Sequence, residues 1–285
     1  MYTKKIIFAA LLCAPAFIQA QGLYLGVDGG YGFPAAKMSI FGDYKSTNGS
    51  TNTYEATSKP VSFGKGVNAG LYIGYMLNEN VGMELGASYL IGSKYTFTDE
   101  TTNDTGPSSS KYEDTWKAHM IRLVPTLRMT SGENKLHPYA KAGLIIGIGG
   151  KLFEESHNVN TDPSGSTVID ENWEYSGGIS LGFHGGLGIN YMVSDKIGIF
   201  LEAAGNYQSW AMKKGIMTVN TVDGVDQLSM LTTAEKETEF VDEVKYDYNN
   251  PPSDSQPTQS TKFFMPLSSI GVNIGLHIAF GGSGE

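Results

Sequence analysis

The sequence predicts an all-β fold: a single-domain, eight-stranded antiparallel up-and-down barrel that crosses a membrane. Three observations predict it. Eight stretches of about ten residues alternate apolar with small or polar side chains, their connections alternate in length, and aromatic residues collect at their ends. In the first stretch, 22–31, Leu23, Leu25, Val27 and Tyr31 share one face, and Tyr24, Gly26, Asp28 and Gly30 the other. Such a strand separates two solvents. The pattern returns in 67–77, 81–91, 118–129, 140–148, 179–191, 197–207 and 270–280, each close to the length a tilted strand needs to cross hydrocarbon. An even set of strands closes without an edge, and a sheet in lipid must close to satisfy its backbone groups internally.

The first twenty residues set the destination. Lys4 and Lys5 precede an apolar run, 6–18, broken only by Pro15, and Ala20 precedes Gln21. This is the pattern of a secretory signal over 1–20, leaving 21–285 as the barrel domain. The run is too short to span a bilayer as a helix. Cys13 is the one cysteine in the sequence and follows Leu12, where lipoprotein processing needs a small residue. Cleavage after Ala20 leaves no cysteine, which excludes disulfide and thiol chemistry in a compartment that permits both.

Composition narrows the class further. No later stretch reaches eighteen consecutive apolar residues, so a helical membrane protein is excluded. The mean hydropathy of −0.18 is what a barrel gives when every second strand residue faces inward. The 36 glycines and 16 tyrosines suit close strand packing and interfacial aromatics. Net charge is −9, and −11 without Lys4 and Lys5; with no Lys/Arg cluster, nucleic acid is not expected as a partner.

The connections fix a topology. Long segments at 32–65, 96–115, 154–172 and 211–261 alternate with shorter ones at 78–80, 131–137 and 194–196. Long and short connections leave opposite rims, so the four long ones are expected outside the cell, with the short turns and both termini in the periplasm. A soluble β-sandwich shares the alternation but does not explain the aromatics. Trp116, Trp173 and Trp210 fall where strands meet long connections, with Tyr175 and Tyr207 nearby, and Tyr75, Tyr191 and Phe280 sit at the short-turn ends. These eight are expected to form two interfacial belts.

The last stretch, Ile270-Gly-Val-Asn-Ile-Gly-Leu-His-Ile-Ala-Phe280, resembles the C-terminal signal read by the outer-membrane assembly machinery. With the strand plan and the signal segment, the chain resembles the small outer-membrane β-barrel superfamily, which includes outer-membrane protein W and the transmembrane domain of outer-membrane protein A. The resemblance implies a Gram-negative outer membrane, contact with its lipid and with the assembly machinery, and a monomer. Residues 281–285 depart from the usual aromatic finish, and no periplasmic α/β domain is expected after the barrel.

Strand parity turns Asp28, Glu84, Arg122, Arg128, Lys141, His184, Glu202 and His277 inward. An eight-stranded barrel is just wide enough for its own side chains, so these groups are expected to pair in a lumen charge network rather than line an open pore. Glu84 and Arg128 are placed opposite each other near the short-turn rim, as a gate that Glu84→Ala is expected to open. Pro125, which has no backbone donor, is expected to bring a bulge or a missing ladder bond.

Catalysis, metal binding and cofactors are not expected. His119, His137, His157, His184 and His277 are scattered without zinc spacing. The best nucleophile–base set is His119 with Ser108, Ser109, Ser110 and Glu113. Glycines over 177–188 lack a following Lys-Ser/Thr and fit close strand packing better than a phosphate loop. The connection 211–261 holds 4 lysines against 9 acidic residues and ends Pro/Ser/Gln-rich, which reads as a solvated surface loop; divalent cations or a basic partner are the sharper alternatives. The expected function is that of a non-enzymatic anchor presenting four long external loops to a ligand the sequence does not name. The alternative is a narrow channel for small or apolar solutes.

Overall fold

The computed structural model describes residues 22–106, 108–131, 135–246 and 251–280. The expected signal segment, Cys13 and the residues after Phe280 lie outside them. The chain is all-β. Its first half holds β1 (Leu23–Pro34), β2 (Gly42–Asn48), β3 (Thr53–Ser58), β4 (Gly66–Met76), β5 (Val81–Gly92), β6 (Tyr95–Asn103), β7 (Ser109–Thr130) and β8 (Leu136–Asp162). There follow β9 (Gly165–Gly177), β10 (Ser180–Met192), β11 (Ile197–Val222), β12 (Val225–Asp226), a short helix α1 (Thr233–Lys236), β13 (Glu237–Val241), β14 (Thr258–Thr261), β15 (Phe264–Pro266) and β16 (Ser269–Ala279).

Eight of these strands pair in a circuit. β1 pairs with β4, β4 with β5, β5 with β7 and β7 with β8. From there β8 pairs with β10, β10 with β11, β11 with β16, and β16 returns to β1, every pairing antiparallel. The result is a barrel-like ring turned inside out. Leu71, Leu85, Leu127, Leu187, Leu201 and Ile274 are exposed on its wall, whereas Glu84, Arg122, Arg128 and Glu202 are buried.

The described residues form sixteen strands rather than eight, because the long connections contain β-structure. β7, β8 and β11 run for 22, 27 and 26 residues, about twice the 11 of β4. Above the ring β9 enters between β8 and β11, where β10 lies lower down. In the same way β6 takes over from β5 against β7. β2 and β3 extend the sheet beyond β6, and β13 and β14 extend it beyond β11. One side of the ring thus continues as a tall curved wall. Neither face of that wall has to be uniformly apolar, which is why its strands read as polar connection in the sequence.

Of the two outcomes expected at Pro125, a bulge or a missing ladder bond, the structure has the second. Between Leu123↔Ile146 and Thr126↔Gly143 the β7–β8 ladder is interrupted without a register change. The bulge lies one turn of the ladder higher, between His119 and Ile121 on β7, opposite Gly149 of β8. Gly149 has φ +62°, a left-handed conformation that costs glycine little, and the extra residue switches the inward parity of β8 from odd to even positions.

The wall's outer tips are clamped. Asp104 accepts hydrogen bonds from the Ser50 amide (2.7 Å), the Ser50 hydroxyl (2.7 Å) and the Thr51 amide (2.9 Å), tying the β2–β3 turn to the β6–β7 turn. These donors hold its carboxyl at about 2, below the usual range. Asp104→Ala is expected to raise protease nicking near residue 50 severalfold while the heat-induced gel shift of the ring stays unchanged. Equal nicking of variant and parent removes the clamp.

Candidate functional site

The inward faces of the ring are filled in layers. At the short-turn rim Glu84 accepts from Arg128 (Oε1, 2.9 Å), Lys141 (Oε2, 2.9 Å) and the Tyr24 hydroxyl (3.0 Å). Lys141 reaches on to Glu202 at 3.2 Å, which also accepts from Tyr139 (3.1 Å) and Asn273 (3.2 Å). Arg128 lies over the Tyr139 ring at 4.1 Å, and Lys141 over Tyr72 at 4.7 Å. Four of the eight sequence-nominated lumen residues therefore meet directly. Their register differs from the expectation: Glu84 pairs with Thr126 and Arg128 with Gly82, so the two charges meet diagonally, and it is Lys141 that stands opposite Arg128. A carboxylate between two cations keeps them from repelling each other in a low dielectric.

Sequence reading missed the aromatic part of this layer. Tyr24, Tyr72, Tyr139 and Phe200 form one buried cluster beside His277, whose Nδ1 lies 3.4 Å from the Tyr72 hydroxyl. Each ring lies over a glycine on the neighbouring strand: Tyr72 over Gly26, Tyr24 over Gly74, Tyr139 over Gly188, Phe200 over Gly275. A side chain at any of these glycines would enter the ring's space. The signal was available, since glycine and aromatic sit at inward parity throughout.

Above lies a cavity of ≈80 Å³ lined by Asp28, His184, Asn206, Asn273, Lys141 and Arg122 among others. His184 shares a 2.9 Å hydrogen bond with Asn206, while Asp28 feels Glu202, Lys141 and His184 only across the cavity. Arg122 joins none of the carboxylates. It donates to the Gln208 side chain (2.9 Å) and the Leu267 carbonyl (2.9 Å), forming the floor of a third layer. There Val61 and Phe63 from the first long connection, and Met265 and Leu267 from the short stretch between the last long connection and β16, fold into the ring's mouth against Leu90, Met120, Leu152, Trp210 and Met212. Sequence reading missed this apolar seal too, because Val61 and Phe63 lie in a long connection and Met265 and Leu267 in a stretch assigned to no strand.

The belt expectation is corrected in half its members. Trp210 is 2 % exposed and belongs to the mouth seal, donating to the Gly178 carbonyl. Trp116, Tyr175 and Trp173 face inward and stack in parallel, at 5.8 Å and 6.0 Å between ring centroids. Parity along the extended strands, not interfacial preference, sets their direction. Tyr191, Tyr207 and Phe280 are exposed on the outer wall, and Tyr75 is half-buried. The nucleophile–base set is not assembled. His119 bonds Tyr89 (3.1 Å) on the outer face, and Ser110 lies nine residues away along β7, roughly 30 Å at strand spacing. Among the described residues no three His, Cys, Asp or Glu converge as a metal site.

The inner face of the wall carries acid among the rings. Trp116, Glu154 and Trp173 form one rung, and Asp114, Ser156 and Glu171 the next. Tyr175 donates to Glu154 at 2.6 Å. Burial pushes the Glu154 carboxyl up to about 7, with the charges of Asp114 and Glu171 acting in the same direction and the Tyr175 hydrogen bond against it. Burial raises Asp114 as well.

The family model for the outer membrane protein beta-barrel domain matches residues 6–226. No curated protein matches the chain.

Because the folded state holds Glu154 protonated above its ordinary range, ionising it costs stability, and that cost grows as pH rises from about 4.5 to about 7. Glu154→Gln is expected to match the parent's unfolding free energy at pH 4 and exceed it at pH 8 by on the order of 3 kcal/mol, with a correspondingly higher unfolding temperature. Parallel pH profiles for the two proteins contradict a buried carboxyl here.

Proposed function

The chain belongs to the outer membrane protein β-barrel domain family, placing it in the outer membrane of Gram-negative bacteria, and from that premise we propose a closed, non-enzymatic anchor. In this reading the eight strands of the circuit are the membrane-spanning barrel. The exposed leucines, isoleucines and valines on its wall then meet lipid. The short turns at 78–80 and 194–196, with both chain ends, face the periplasm, and the wall built from β2, β3, β6, β9, β13 and the upper parts of β7, β8 and β11 stands outside. β16, apolar at alternate positions and followed by Phe280, is the strand for the assembly machinery to recognise. The protein works as a monomer whose external wall meets a ligand.

One observation carries the closed-anchor reading over the narrow channel: the lumen is filled at two levels, by the Glu84–Arg128–Lys141–Glu202 layer and by the apolar mouth. The ≈80 Å³ between them holds a few waters, not a path. Two seals in series also revise the expectation that Glu84→Ala alone opens the barrel.

In planar bilayers the parent is expected to be silent. Glu84→Ala is expected to stay silent while losing about 3–5 kcal/mol of stability, since Arg128 and Lys141 are left underpaired. Adding Phe63→Ala, Met265→Ala and Leu267→Ala should then give ion conductance. Stable steps from the parent favour the channel. Epitope tags after Gly106 and Gly224 should bind antibody on intact cells, and a tag at Asp195 should not; the reverse pattern inverts the topology.

A further inference from the structure

The wall sorts its charges by face. On the outer face carboxylates have cations: Glu155 meets Lys94 (2.8 Å) and Lys117 (3.4 Å), Glu174 meets Lys151 (2.6 Å), and Asp170 meets His157 (2.6 Å). On the inner face Asp114, Glu154 and Glu171 have no ion-pair partner among the described residues, and Asp99 stands one rung further out beside Tyr112. Neutral donors alone meet this acid, Tyr175 at Glu154 (2.6 Å) and Asn220 at Glu171 (3.2 Å), and an acidic cluster without a counter-charge is costly in the free protein. It is a poor structural device.

A second, independent feature points to a ligand. Asn158 is 7 % exposed, and its Oδ1, on this inner face, has no hydrogen-bond partner among the described residues; the same holds for Oδ1 of Asp114. Buried acceptors of this kind call for N–H donors. The carboxylates do not converge as a metal site, so their separation suits a cation with several spaced charges rather than a metal ion. The parallel Trp116–Tyr175–Trp173 stack supplies apolar surface and electron-rich ring faces along one side.

We propose that this inner face binds an organic polycation of the polyamine class. Its ammonium groups sit on Asp114, Glu171 and Glu154 over a floor of Ser156 and Asn158, with its methylene chain against the aromatic stack. The proposal deepens the surface-interaction reading and rests on it only for the side from which the ligand arrives. The groups facing Glu154 are Asp114 from β7 and Tyr175 and Glu171 from β9, so a proton on Glu154 competes with the cation. Binding therefore weakens as pH falls through 7.

The test is calorimetry with spermidine on the full-length protein folded in neutral detergent, with its heat-induced gel shift as the folding control. Saturable one-to-one binding is expected, at least tenfold weaker in the near-isosteric Asp114→Asn/Glu171→Gln variant and unchanged in Glu239→Gln/Glu243→Gln, which removes the same charge from exposed positions. If the first variant does not fold, the parent's own pH titration decides, with affinity expected to drop from pH 8 to pH 6. Equal losses in the two double variants, a pH-independent affinity, equal competition by magnesium, or no saturable heat overturns the proposal. Hexalysine binding far more tightly than spermidine replaces the small cation with a basic protein partner and overturns it too. Inverted tag accessibility with binding intact overturns the topology and leaves the site standing.

Discussion

Everything in the ring follows from having to be apolar outside. Period-2 alternation then delivers every second residue to an interior too narrow for bulk water, and any charge placed there needs its counter-charge there as well. Glu84 is the point at which this is resolved. It takes three donors from three different strands, Tyr24 on β1, Arg128 on β7 and Lys141 on β8, and through Lys141 it is joined to Glu202 on β11. The network crosses the barrel instead of running around it. It therefore fixes the relative height of strands that do not pair with each other, a constraint that backbone ladders alone do not impose.

The sequence made the ring legible because lipid is a uniform partner. Leu71, Leu85, Leu201 and Ile274 announce their face by hydropathy, and the inward set, with Glu84, Arg128, Lys141 and Glu202 in it, follows by subtraction. The diagonal geometry of Glu84 and Arg128 was not legible. It depends on strand stagger, and pairing Glu84 with Thr126 is set by the whole β5–β7 ladder rather than by either residue. The direction of Trp210 was misread for a similar reason: an aromatic beside a long connection suits an interface or an interior equally, and here strand parity turns it inward beneath Met265 and Leu267.

Above the ring that rule lapses. β9 enters the sheet by pairing with β8 and β11 at once, and β2 joins β6 in parallel after a separation of more than fifty residues. Such non-local pairings leave no period in the local sequence once neither face meets lipid. What remains visible is composition. Residues 154–175 mix Glu, Asp, Asn, Trp and Tyr, and only the register, with Glu154 between Trp116 and Trp173, separates a chance mixture from an ordered acidic and aromatic surface.

The mouth seal joins these two regimes, and Arg122 marks the junction. Among the described residues its guanidinium has no carboxylate partner; it donates instead to the Gln208 side chain and the Leu267 carbonyl, while Gln208 donates in turn to Ser180 at 2.8 Å. A cation satisfied by neutral acceptors is held by geometry more than by charge, so its position depends on the strap that carries Leu267. That strap is backed by Ser62, whose hydroxyl donates to the Ser268 carbonyl at 2.6 Å from the first long connection. The first and last connections thus close the barrel together, across some two hundred residues of chain. The mouth seal thus rests on segments outside the eight-strand circuit, whereas the Glu84 layer is made wholly from side chains of its strands. The two seals are therefore not equivalent. The lower one is an electrostatic lock between side chains of the barrel strands, and the upper one is an apolar packing of two connecting segments against them.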